Sequence, residues 1–267
     1  MRKRQKFVLT TVLLTLGFVL FGRTPLEFKY IAAAILSGLT YVLFAWSLRE
    51  GLNGVEWLTL LLPPTLFTLG FCLFSILVPA DWVRGLPYNI SVVVGAIMVH
   101  LVFAIGQYGL LLTSNIFSVA AIRTIALFWT ASAISFVIAV TSGFFWYETI
   151  LSFRLPFYIV GVAIALVSFL LILPAVWSVH LENKISKRVL MYALVLAFLI
   201  GGIAVSLSFW PASVAVGSLF LATCLYVFLG ITQHHFSEKL FIKTVWEYLI
   251  VGIVVLVTML ITSAYGA

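Results

Sequence analysis

The chain has 267 residues, of which 64% are hydrophobic and 9% charged, with a mean hydropathy of +1.23 and a formal net charge of +7. So few polar groups cannot coat a water-soluble globule, which excludes a soluble enzyme or binding module and makes lipid the solvent. The basic excess has no form resembling a nucleic-acid-binding arm, so no nucleic-acid partner is expected, and it reads first as a topology signal.

A bilayer core of about 30 Å needs roughly 20 apolar residues per helical span, and runs of that length recur along the chain. They predict nine spans, at 7–22, 30–48, 57–78, 88–112, 120–144, 156–178, 189–209, 211–232 and 245–264. The expected fold is all-α and integral to a membrane: a helical bundle of about nine transmembrane helices in a single polytopic domain, residues 1–267, with no soluble domain.

Arg2, Lys3, Arg4 and Lys6 precede the first span, a pattern shared with secretory signals. The following Phe21-Gly22-Arg23-Thr24-Pro25 offers no small-x-small cleavage site, so an uncleaved anchor is expected. Pro63 and Pro64 interrupt the third span and Pro174 the sixth, each removing an i to i−4 hydrogen bond. Broken helices form substrate sites in transporters, and proline kinks also occur in membrane helices with no special role. Pro87, Pro156 and Pro211 suit first helical turns, and Asn53, Ser186 and Thr244 can cap the helices that follow. Cys72 and Cys224 lie inside apolar spans and read as small core residues.

With the N-terminus cytoplasmic, the inner set of Lys and Arg is Arg2, Lys3, Arg4, Lys6, Arg49, Arg123, Lys184, Lys187, Arg188, Lys239 and Lys243. Arg23, Lys29, Arg84 and Arg154 remain outside, a split of 11 against 4 that satisfies the positive-inside rule. The inner residues can also attract anionic lipid headgroups.

The fourth span carries the most chemistry. At about 100° per residue, Asn89, Ala96, His100, Ala104, Gln107 and Ser114 project within about 40° of one line. Ser91, Gly95, Gly106, Gly109 and Thr113 occupy the opposite side, where small residues mark close helix approach. Both faces are therefore expected to be covered by protein, making this helix central. His100 would lie near the bilayer midplane, able to relay a proton or bind a solute, or else to hydrogen-bond a neighbouring helix as a neutral group.

On the fifth span Thr124, Ala131, Ser135, Ala139 and Ser142 gather on one side and could supply a facing wall. Arg123, about one turn from the inner end, either snorkels to headgroups or contacts an anion. The candidate solute or proton pathway is thus His100, Gln107, Ser114, Asn89 and Ser135, with Arg123 as a candidate anion or headgroup contact.

His180, His234 and His235 fall at the inner membrane surface beside Glu182 and Glu238, in a spacing that matches no metal motif. The segment His234–Trp246 alternates apolar and charged residues as a short amphipathic surface helix would. Trp46, Trp57, Trp82, Trp146, Trp177 and Trp210 cluster near span ends, as an aromatic belt requires.

Two stretches, Leu110-Leu-Leu-Thr-Ser-Asn-Ile-Phe-Ser-Val-Ala-Ala-Ile-Arg-Thr-Ile125 and Ile231-Thr-Gln-His-His-Phe-Ser-Glu-Lys-Leu-Phe-Ile-Lys-Thr-Val-Trp-Glu-Tyr248, resemble those of an uncharacterised family of small polytopic bacterial membrane proteins found mostly in candidate-phylum genomes. The resemblance implies a bacterial cytoplasmic membrane, spanned several times. It implies no substrate and transfers no functional residues.

No phosphate loop, His-Glu-x-x-His, Gly-x-Ser-x-Gly or Cys-x-x-Cys-His occurs, so ATPase, zinc-protease, hydrolase-elbow and covalent-haem chemistries lack their motifs. No catalytic residue, metal or cofactor is assigned. The expected function is a small-solute or proton-linked transporter or its membrane subunit; the alternative is a non-catalytic membrane scaffold or assembly protein. A third reading, an intramembrane lipid-modifying enzyme, would need His100 with a hydroxyl group, or the surface His and Glu groups.

Overall fold

The computed structural model describes residues 3–79, 87–119 and 125–263. Among these the chain is helical: α1 (Lys3–Arg23), α2 (Leu26–Leu48), α3 (Glu56–Thr59), α4 (Leu62–Leu77), α5 (Tyr88–Phe117), α6 (Ile125–Ser152), α7 (Phe157–Trp177), α8 (Lys187–Leu207), α9 (Val214–Phe236) and α10 (Ile242–Thr262). With α3 and α4 taken together, nine of the described helical stretches are long and apolar enough to cross a membrane. Large apolar side chains such as Phe198 (79% exposed) and Ile242 (82%) point outward, as a lipid-facing surface demands. The chain is built as a multi-pass membrane protein.

Local chemistry explains most boundaries. Ser186 and Ser213 cap α8 and α9, their hydroxyls accepting from Val189 N–H and Val216 N–H. Pro87 and Pro156 stand at the N-caps of α5 and α7. The third span breaks at Leu60 and Leu61, with Pro63 and Pro64 placed in the first turn of α4, where a missing N–H costs little. Pro174 does not break its helix: it sits in the last turn of α7.

Several expectations need correction. Pro211 lies outside the first turn of α9, which begins at Val214 behind Ser213, and the Asn53 side chain does not cap α3, its backbone N–H donating instead to Glu56 Oε2. Thr244 caps nothing, because α10 already begins at Ile242 behind Phe241. There is no amphipathic helix over His234–Trp246: α9 continues to Phe236 and the chain then turns. Lys239 N–H bonds His234 C=O and Glu238 N–H bonds His235 C=O, with Glu238 left-handed at φ 57°, the pattern that closes a helix C-terminus. The fifth span lies further along than 120–144, since α6 runs to Ser152.

The chain divides into two compact units, Met1–Ile134 and Ser135–Ala267, with the boundary inside α6. In the first, α1, α2, α4 and α5 form a four-helix arrangement in which α2 packs on α1 and α4, and both of these pack on α5. Its core is aromatic: Phe18 lies 4.7 Å from Phe103 and 5.3 Å from Phe71, and Phe67 stacks at 6.1 Å from Phe103. Gly106 allows the Phe67 ring to lie directly on α5, where a Cβ would overlap it.

In the second unit α7 runs against α8, and α9 packs on both and on α10. A Cβ at Gly201 would stand 2.8 Å from Gly161 O and 2.8 Å from Ala165 Cβ, so these backbones touch. The Tyr147 hydroxyl, wholly buried, donates to Ser168 Oγ at 2.7 Å, which in turn donates to Ile164 C=O. Trp177 is 3% exposed and donates to Glu182 C=O at 2.9 Å, so it serves the fold of that loop rather than an interfacial belt.

Candidate functional site

The stripe on α5 behaves differently at its two ends. Asn89 and Ala96 are exposed, His100 is partly buried, and Gln107 and Ser114 are buried. The opposite face packs as expected, with Ser91, Gly95, Gly106 and Thr113 buried. The expectation of a helix covered on both faces therefore fails for its first half. α5 has 30 residues, about 45 Å at 1.5 Å per residue, whereas α1 has 21 and α4 has 16, so its neighbours cannot flank it throughout.

Gln107 is the node of the first unit. Fully buried, it donates from Nε2 to Thr68 Oγ1 on α4 at 2.7 Å. Thr68 Oγ1 donates to Pro64 C=O at 2.9 Å and lies 3.0 Å from Thr40 Oγ1 on α2, tying three helices together. One turn away, Ser37 Oγ donates to Thr65 C=O at 3.0 Å. Ser114 Oγ donates to Leu60 C=O at 3.3 Å.

His100 is turned onto its own helix. Nδ1 lies 2.6 Å from Ala96 C=O, which can only accept, so Nδ1 carries the proton. The ring rests 5.1 Å from Phe18, and Nε2 is a buried atom with no hydrogen-bond partner among the described residues. Gln107 Oε1 and Asn115 Oδ1 are likewise buried without partners among the described residues, as is Thr11 Oγ1 on α1. Three of these four atoms lie on α5, within about 80° of one another and along about 22 Å of helix. In a neutral His100 all three are acceptors lacking a donor.

Ser135 is partly buried on α6 and belongs to the second unit. Of its proposed wall, Ser142 returns its hydroxyl to Ile138 C=O at 2.7 Å. Arg123 and Thr124 lie outside the described residues.

The family model of DUF5656 proteins matches residues 8–262, nearly the whole chain. The chain belongs to this family. DUF5656 is described as a protein family of unknown function, in agreement with the resemblance to an uncharacterised family. No curated protein and no solved structure matches the chain.

Sequence reasoning missed two polar contacts of this DUF5656 chain. Glu148 accepts a hydrogen bond from the Ser218 hydroxyl, joining α6 to α9, and Gln233 Nε2 donates to Ala175 C=O at 2.9 Å near the end of α7. A carboxylate four residues before the end of α6 is the available signal, because a charged group on an apolar helix needs a partner or an exit to the headgroups.

Proposed function

We propose that the first unit passes a small hydrogen-bond-donating species, such as ammonium or a proton carried on water, across a bacterial cytoplasmic membrane, acting as a transporter or as its membrane subunit. The observation behind this reading is Gln107: wholly buried on a membrane helix, it keeps a carboxamide oxygen with no donor among the described residues, and His100 Nε2 and Asn115 Oδ1 repeat that condition along the same face. A buried acceptor without a donor costs about 1–3 kcal/mol, so a row of them favours a donor that visits. The basic loops orient the N-terminus to the cytoplasm on this reading.

Purified chain in liposomes with a trapped pH indicator tests it. An ammonium or proton gradient should dissipate faster than in empty liposomes, and Gln107→Leu should abolish the excess while the protein remains folded. Equal rates with and without protein sink the proposal. The scaffold reading is favoured by the Thr40–Thr68–Gln107 network, whose bonds lock three helices together. It expects a Gln107→Leu protein with no flux to lose and a changed stability instead. For an intramembrane enzyme the His100 ring engages backbone and Phe18 rather than a hydroxyl, which gives a general base nothing to activate.

A further inference from the structure

At one end of the second unit the α7–α8 and α9–α10 connections come together. Arg188, in the first turn of α8, donates from a guanidinium NH2 to His235 Nε2 at 3.0 Å and lies over the Phe236 ring at 5.0 Å. An arginine can only donate, so Nε2 is an acceptor with a single lone pair. Tyr192 Oη stands 3.3 Å from that same nitrogen, so a second donor competes for the one lone pair.

Donors therefore exceed acceptors at this corner. Arg188 presents a fork of five N–H groups, and its partners among the described residues are an imidazole nitrogen that accepts and a phenyl ring rather than a carboxylate. Arg188 is exposed and Tyr192 and His235 are partly so; Lys184 stands on the α7–α8 connection and Lys187 at the start of α8, while the exposed carboxylates of these two connections, Glu182 and Glu238, make no ion pair with Arg188 among the described residues. A compact group rich in anionic oxygens complements such a corner, because a guanidinium stacked on an aromatic ring is a preorganised receptor for it.

We infer that Arg188, Tyr192 and His235 form a binding site for the phosphate of an anionic phospholipid. A lipid is favoured over a soluble phosphate by the exposed apolar residues that follow on the adjoining connection: Leu240, Phe241 at 67% exposed and Ile242 at 82%. They offer acyl chains a surface next to the receptor. The site is independent of the α5 stripe and of what passes along it.

The test is native mass spectrometry of the full chain from mixed micelles holding equal phosphatidylglycerol and phosphatidylcholine. Phosphatidylglycerol should be retained preferentially, and Arg188→Gln should reduce the preference about fivefold, the weight of one basic side chain at an anionic surface. Tyr192→Phe removes only the competing O–H donor and should weaken retention without disturbing the helix, so the inference stays testable if Arg188→Gln does not fold. Lys29→Gln, in the first unit, should leave the preference unchanged. Displacement by millimolar inorganic phosphate would assign recognition to the phosphate alone and overturn the choice of a lipid, and resistance to displacement would support it. Equal retention of the two lipids, or an unchanged preference in both site variants, overturns the inference.

Discussion

Ser114 Oγ donates to the backbone oxygen of Leu60, and that oxygen is available because Pro64, four residues further on, has no N–H to offer it. Two features that read separately in the sequence, a hydroxyl on the fourth span and a proline pair in the third, are thus donor and acceptor of one bond. The pairing gives both a structural account: the proline frees a carbonyl and α5 supplies the donor.

Ser114→Ala should then cost about 1 kcal/mol by leaving Leu60 C=O unpaired in an apolar setting. In a Pro64→Ala background, where the substituted residue regains a backbone N–H that can take that carbonyl, the cost of Ser114→Ala should fall toward zero. A double-mutant cycle read by unfolding in detergent measures the difference; two additive effects would mean that Pro64 does not free the Leu60 carbonyl for this bond.

Gln107→Leu separates stability from flux. The substitution removes the unpaired Oε1 together with the donor to Thr68, and Thr68 keeps Pro64 C=O and Thr40 as partners. Thermal stability should shift by less than about 1.5 kcal/mol, as for a hydrophobic replacement of similar volume. A loss of several kcal/mol would identify Gln107 as a structural clamp.

Adjacent glycines on α8 should respond oppositely. Gly201→Ala drives a methyl into Gly161 O and Ala165, and should destabilise by about 1–3 kcal/mol. Gly202→Ala meets nothing within 4 Å and should be neutral or stabilising by up to about 1 kcal/mol through helix propensity. Melting of the two variants side by side reads the contrast, and equal effects would remove the close α7–α8 approach from the account.

Glu238 occupies a left-handed position that L side chains rarely adopt, at the turn that ends α9. Glu238→Gly should raise stability by about 0.5–1 kcal/mol, since it relieves that backbone strain by more than it adds to the entropy of the unfolded chain. A lower melting temperature would show that the carboxylate does something the backbone does not reveal.

The spans are readable because a lipid core imposes a length and a composition that little else in a chain imitates. Even so, the sequence places the end of α6 too early, since Trp146, Tyr147, Glu148 and Thr149 look like residues entering headgroups. Tyr147 and Thr149 are instead buried, and Glu148 is bonded to Ser218. The angular pattern of α5 correctly groups Gln107 with Ser114, but it holds no information on how far each neighbour extends along the helix, so it cannot separate them from exposed Asn89. Nor does periodicity say which hydroxyl meets an amide: Thr68 sits in an apolar stretch of α4, and only the fold brings it to Gln107.

The touching backbones of α7 and α8 also bear on the order of assembly. Gly161 and Gly201 have no rotamers to lose when they meet, so the close approach of this hairpin carries little side-chain entropy cost, although its connection over 178–186 is the longest between helices of the second unit. In the folded unit α9 packs on this pair and α10 on α9, so the α7–α8 contact lies at the base of that packing. Changes that hold the two backbones apart would accordingly slow assembly in the membrane, whereas changes at the outlying α10 would mainly hasten its release.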